Sequence, residues 1–163
     1  MKTLFYLILS GLLVFGSVYY WYNHYMSIQN LEGLEEKLFS SLPESEKQDV
    51  VWALEALKSK CYPLFHQYAD DIEHIEASVY SDDWCKGDYK CEDYGWKDTI
   101  SFRISLNDSL LSIPNEFRAW GHTLHYDISE NGKAGIISQK AQSQLACGWK
   151  PNSDGSDVFI PIN

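Results

Sequence analysis

Cations are scarce in this chain of 163 residues, because thirteen Lys and Arg stand against twenty-three Asp and Glu, for a net charge of −10. Nucleic-acid binding is not expected, since a surface that neutralises phosphates needs clustered cations. The chain is also too short for two full domains, and it contains no internal repeat or low-complexity tract. It does contain 45% hydrophobic and 15% aromatic residues, which favours one folded domain with a buried core.

Charge is almost missing from the beginning of the chain, where Lys2 is the only charged side chain before Glu32. Residues 4–22 are free of Asp, Glu, Lys and Arg, and as a helix they would extend for about 28 Å, close to the thickness of a bilayer core. Aromatic rings gather at the far end of this run, as they do at a membrane interface. The sequence therefore predicts a transmembrane helix over residues 4–22.

A cleaved signal peptide is the alternative for the same apolar run. No A-x-A cleavage site is present, and cutting at the small-residue option Val14-Phe15-Gly16 would leave a strongly apolar new N-terminus. Because Lys2 precedes the run and Glu32 follows it, the N-terminus is predicted to stay in the cytoplasm. The predicted organisation is a signal anchor of the inner membrane at residues 1–25, an amphipathic stalk helix at 26–43 and an extracytoplasmic α+β domain at 44–163.

The hydrophobic period changes along the remaining chain and predicts helices first, then an antiparallel sheet. Leucines recur every three or four residues from Leu31 to Leu42, a second helical stripe follows Pro43, and a third runs over residues 64–79. Strands are predicted at Thr99–Leu106, 117–128, Gly135–Ser138, 143–149 and 158–162, with a hairpin turn at residues 129–132. The predicted fold class is α+β, with an N-terminal transmembrane helix and a sheet tied by disulfides.

Four cysteines are present, an even number that suits an oxidising compartment. Four thiols allow three pairings, and we predict a local clasp between Cys85 and Cys91 with a long-range bond between Cys61 and Cys147. Zinc binding is the alternative, but no two cysteines are spaced two to four apart. We predict no metal and no cofactor.

Two groups of titratable residues are candidates for chemistry. His66, Asp70 and His74 would share one side of the third predicted helix, where an exposed polar face is the simpler interpretation. His125 and Asp127 would share one face of a strand and offer general acid–base catalysis, although no G-x-S-x-G or S-x-x-K nucleophile motif accompanies them. A small hydrolytic enzyme that uses these two residues is therefore an alternative function.

Aromatic and charged residues alternate in residues 82–98, around the predicted Cys85–Cys91 clasp. Rigid aromatic rings that lose little entropy are favoured in protein interfaces. The predicted partner-binding residues are Trp84, Tyr89, Tyr94 and Trp96. The alternative is that Trp84 and Trp96 only cover an edge of the sheet.

The anchor, the leading helix and the terminal sheet together give an outline that is similar to type IV pilins and pseudopilins. Those families carry a Gly-Phe processing site followed by a Glu, whereas this chain has Gly11-Leu12 and Gly16 and no acid in the apolar run. The resemblance implies a structural subunit of a secretion or pilus assembly as an alternative function. The leading prediction is a non-enzymatic, membrane-anchored, extracytoplasmic protein-binding module, either an accessory subunit or an immunity-type factor. Its strongly acidic composition suits a basic protein partner.

Overall fold

A computed structural model describes residues 2–80, 99–107, 123–129 and 134–162, and in the first helix it describes the side chains of Tyr6 and of residues from Ser10 onward. The helices are α1 (Lys2–Ser41), α2 (Glu44–Lys60) and α3 (Ala141–Ala146), with a π-helical turn at Pro63–Gln67 and a 3₁₀ turn at Ala69–Asp71. The strands are β1 (Ile72–Tyr80), β2 (Thr99–Leu106), β3 (Thr123–Ser129), β4 (Gly135–Ser138) and β5 (Val158–Pro161).

The five strands form one antiparallel sheet in the order β1-β2-β3-β4-β5, so neighbours in sequence are neighbours in space. Alternate side chains of each strand point to one face, which we call the inner face. On β2 and β3 these inner residues are buried and apolar: Ile100, Phe102, Ile104, Leu106, Leu124, Tyr126 and Ile128. The predicted α+β class with an antiparallel sheet is confirmed.

The second half of α1 packs beside β1, and α2 packs against β1 and β2. On α1 the buried residues Ser27, Leu31 and Leu38 lie on one side of the helix, as the leucine spacing predicts. The side chain of Asn30 donates hydrogen bonds to the carbonyls of Ala69 and Ile72, which attaches the helix to the beginning of β1. The α1 helix runs without a break through the predicted anchor and stalk segments.

The predicted transmembrane helix at residues 4–22 is wrong. In the part of the chain that the structure describes, no helix is long and apolar enough to cross a membrane. Among the described side chains of α1, the apolar run from Leu12 to Val18 is short and is interrupted by Gly16 and Ser17. Tyrosines, a tryptophan and then Asn23 and His24 follow it, and these residues lower the mean hydropathy of any longer stretch.

The third predicted helix, over residues 64–79, is also wrong beyond Asp71, because β1 begins at Ile72. The pairing of β1 with β2 shifts between Ile72 and His74, which marks a bulge at Glu73. The extra residue places Ile72 and Ile75 on the same face, although they are three apart. The bulge therefore gives the apolar residues of β1 the spacing that is typical of an amphipathic helix.

The other strands agree better with the prediction. β2 has the predicted bounds, β4 pairs with β3 as the predicted hairpin requires, and β5 covers most of residues 158–162. The predicted strand at residues 143–149 is wrong, since Ala141–Ala146 is a short helix whose Ser143 and Gln144 are buried. Residues 117–122 and 130–133 of the predicted hairpin lie outside the described residues.

A disulfide joins Cys61 to Cys147 across 86 residues of sequence. Each cysteine ends a helix: the amide of Cys61 donates to Leu57 in α2, and the amide of Cys147 donates to Gln144 in α3. The bond lies beside Tyr126, which is fully buried and donates its hydroxyl to the carbonyl of Ser143 at 2.7 Å. The structure thus describes one of the two predicted disulfides, and Cys85 and Cys91 of the other lie outside the described residues.

Candidate functional site

The predicted partner-binding residues Trp84, Tyr89, Tyr94 and Trp96 all lie outside the described residues. Within the described residues, we consider three surfaces as candidates for the functional site. They are an exposed stretch of α1, a polar cluster on the outer face of the sheet, and a groove between α1 and the edge strand β1.

The exposed stretch of α1 covers residues 12–22, and we call it the exposed segment. Its large apolar and aromatic side chains are between 61% and 79% exposed. They are Leu12, Leu13, Val14, Phe15, Val18, Tyr19, Tyr20, Trp21 and Tyr22. We call the described residues from 44 to 162 the head. The residues at which α1 is buried against the head begin only at Ser27, so the exposed segment precedes the packed half of the helix.

The exposed side chains surround the helix axis. Successive helical residues are rotated by about 100°, so the four consecutive residues Leu12 to Phe15 point in four directions that cover the whole circumference. The packed half differs, because its buried residues keep to a single stripe. A contiguous apolar surface of this kind marks an interaction site, whereas scattered apolar residues do not.

The polar cluster lies on the outer face of the sheet, opposite the helices, and consists of Glu76, Arg103, His125 and Asp127. Glu76 on β1, Arg103 on β2 and His125 on β3 are direct neighbours in the strand register. The Glu76 carboxylate lies 3.7 Å from the Arg103 guanidinium. As the sequence predicts, His125 and Asp127 share this face of β3.

Asp127 is a buried carboxylate, only 3% exposed, although it lies on the polar face. Burial raises its pKa above the ordinary value, and hydrogen bonds from Ser101 and Gln139 oppose that rise. The pKa of His125 is lowered by burial and by the positive charges of Lys140 and Arg103, against the attraction of Asp127. The Asp127 carboxylate thus already accepts hydrogen bonds from two side chains, as a polar group built into the sheet does.

The structure separates the other titratable group. His66 lies in the π-helical turn, Asp70 in the 3₁₀ turn and His74 on β1, so these residues do not share one helix face. His74 instead contacts Glu76 at 3.2 Å on the same strand. No group of three or more His, Cys, Asp or Glu side chains in the described ranges is placed to hold a metal ion.

Replacement of Asp127 by Asn is expected to change how stability depends on pH. A carboxyl group whose pKa is raised by folding stabilises the fold below its ordinary pKa, and this contribution is lost as the pH rises through the folded value. Relative to Asp127→Asn, the wild type should therefore lose stability as the pH rises from below the ordinary aspartate pKa of about 4 towards neutrality. Urea unfolding at several pH values measures the difference.

Asp154→Asn is the matched control, because hydrogen bonds from Ser156 lower the pKa of the exposed Asp154. The sign is then reversed, and the wild type should gain stability over this variant as the pH rises. If Asp127→Asn and Asp154→Asn show the same direction of change, burial does not control the pKa of Asp127.

The third surface is a groove of about 470 Å³ between α1 and β1, which we call the edge groove. Its lining comes from Leu34, Lys37, Leu38 and Ser41 on α1 and from residues 74–78 on β1. Sequence reasoning missed this groove, because it placed residues 74–78 on a helix. The β-branched residues Ile72, Ile75 and Val79 were the available signal for a strand.

Comparison with known proteins gives no match: no family model, no curated protein and no solved structure matches this chain.

Proposed function

We propose that this chain is a non-enzymatic protein-binding module on the extracytoplasmic side of a bacterial envelope, an accessory subunit or an immunity-type factor. The observation that carries the proposal is the exposed segment of α1, in which nine large apolar and aromatic side chains are at least 61% exposed. A soluble surface seldom keeps such a patch uncovered, so a partner that covers it is expected.

The composition of the exposed segment favours a protein as the partner that binds it. Its second half consists of Tyr19, Tyr20, Trp21 and Tyr22. Tyrosine and tryptophan are enriched among the residues that dominate binding energy in protein interfaces, because they bury a large area and lose few rotamers. Since the exposed side chains surround the helix, the partner must enclose the segment with several elements.

Charge and redox chemistry support the remaining parts of the proposal. The net charge of −10 favours a basic partner, whose association it would accelerate at low salt. The Cys61–Cys147 disulfide favours an oxidising compartment, where such bonds persist. The outer-face cluster does not favour catalysis, because the Asp127 carboxylate already accepts hydrogen bonds from Ser101 and Gln139.

Site-specific photo-crosslinking of the full chain tests the proposal. A photoreactive phenylalanine analogue replaces Tyr22, which is 61% exposed in the exposed segment, or Tyr62, which is 59% exposed on the head. The two positions match in residue type and nearly in exposure, and they differ in location and in the stacking of the Tyr62 ring on His66. In cells of the native host, the analogue at position 22 should crosslink to one abundant protein that is not a copy of this chain. Its yield should be several times that of the analogue at position 62.

Three other outcomes contradict the proposal. Equal crosslinking at Tyr22 and Tyr62 would mean that the exposed segment is not selective. Crosslinks to a second copy of the chain would favour a self-assembling structural subunit. Absence of a protein crosslink, together with binding of the purified chain to vesicles of phosphatidylethanolamine and phosphatidylglycerol, would show that lipid covers the exposed segment.

A further inference from the structure

The edge strand β1 offers hydrogen-bonding groups along one side. Within the described residues it pairs only with β2, and it is nine residues long with no proline. An edge strand directs alternate backbone N–H and C=O groups away from its sheet, where another strand can pair with them. The opposite edge, β5, has four residues and ends at Pro161, which has no N–H to donate. As far as the chain is described, β1 is therefore the more open of the two edges.

The edge groove runs along the backbone of this strand. It is lined by His74, Glu76 and Ser78 from the outer face and by Ile75 and Ala77 from the inner face. Residues of both faces line one groove only when the groove follows the edge between them. The facing wall on α1 contributes the apolar side chains of Leu34 and Leu38, together with Lys37 and Ser41.

We infer that the edge groove binds an extended segment of a partner protein, which adds to β1 as a sixth strand of the sheet. Successive side chains of such a strand alternate between the two faces. Those on the inner face would contact Leu34 and Leu38, and apolar residues fit there. Those on the outer face would lie beside Glu76, which is 51% exposed.

Charge selects the occupant. Glu73 and Glu76 are exposed on β1, and Glu76 also contacts His74 at 3.2 Å and Arg103 at 3.7 Å. Two copies joined at this edge would bring the Glu73 and Glu76 of both chains to the joined strands. Like charges on adjoining strands destabilise the pairing, and a dimer would double the net charge of −10. A strand with Lys or Arg on its outer face is complementary instead. The edge groove is separate from the exposed segment of α1, so each proposal can fail without the other.

Peptide titration of the full chain, labelled with ¹⁵N, tests this inference. The probe is a capped peptide of about seven residues in which Val and Lys alternate, compared with a peptide in which Val and Glu alternate. The Val-Lys peptide should shift the amide resonances of residues 74–78 and of α1 near Leu34 and Leu38, and it should slow amide exchange on β1. The Val-Glu peptide should bind more weakly by about threefold or more.

The variant Glu76→Lys should lower the affinity for the Val-Lys peptide by about threefold and raise the affinity for the Val-Glu peptide. Glu44→Lys is the matched control, because it makes the same charge change on α2 at a side chain that is 88% exposed. If the two variants change the peptide affinities equally, the peptide responds only to the net charge of the chain and not to the edge groove. Shifts that avoid β1, or no shift at millimolar peptide, would also overturn the inference.

Discussion

The variant Cys61→Ala/Cys147→Ala is expected to lose roughly 4 to 5 kcal/mol of unfolding free energy. The bond closes a loop of 86 residues, and a crosslink across a long loop removes much of the conformational entropy of the unfolded chain. A domain of this size has a total stability of about 5–15 kcal/mol, so the loss takes away a large part of it. The melting temperature should fall by roughly 10 °C or more.

Guanidinium unfolding of the purified, oxidised chain measures this loss, with the fluorescence of its six tryptophans as the signal. Cys85→Ala/Cys91→Ala is the matched control, since it also replaces two cysteines by alanine. If Cys85 and Cys91 form the predicted local clasp, their short loop contributes only about half as much. Equal losses in the two variants, or a loss under about 1 kcal/mol for Cys61→Ala/Cys147→Ala, would contradict the expectation.

Phe102→Ala is expected to destabilise the fold by about 3–5 kcal/mol. Phe102 is fully buried on β2, and its register partners are Ala77 on β1 and Tyr126 on β3. Truncation of the ring leaves a cavity between the sheet and the helices, and strands on both sides of β2 limit how far the surroundings can collapse. Thermal and urea unfolding measure the effect.

Phe159→Ala provides the matched control for the same truncation. Phe159 is 44% exposed on the outer face of β5, where its ring lies over Gly135. Its loss should cost about 1 kcal/mol or less, because water can replace the ring. A cost for Phe102→Ala no greater than that for Phe159→Ala would show that the inner face of the sheet is not the stability-determining core.

The parts of the fold that the sequence predicts well depend on a single period within one element. The Leu31 and Leu38 stripe on α1 and the strict alternation of β2 need no knowledge of neighbouring elements. β1 fails this condition, because the bulge at Glu73 shifts the alternation by one residue. α3 fails it as well, because the buried Ser143 is polar and its hydroxyl oxygen accepts a hydrogen bond from the His125 amide.

Among the candidate surfaces, too, the one that lies within a single element can be predicted from the sequence, and those that depend on packing between elements cannot. The exposed segment of α1 is visible in the sequence as an uncharged apolar run, although the run alone does not say what covers it. The edge groove is not visible, because it exists only where α1 packs beside β1. The burial of Asp127 is likewise a tertiary effect, since it depends on Gln139 after β4 and on Ser101 on β2.

The continuity of α1 has a mechanical consequence. A helix of 40 residues is about 60 Å long, and the hydrogen bonds of Asn30 and the ion pair of Glu35 with Lys58 clamp its second half to the head. Residues 2–25, which precede the packed part, then extend for roughly 35 Å as one continuous helix. A partner bound at the N-terminal end of α1 therefore fixes how far the sheet lies from that partner and at what angle. Small rotations of α1 about its contacts with the head become displacements of several ångströms at the N-terminal end.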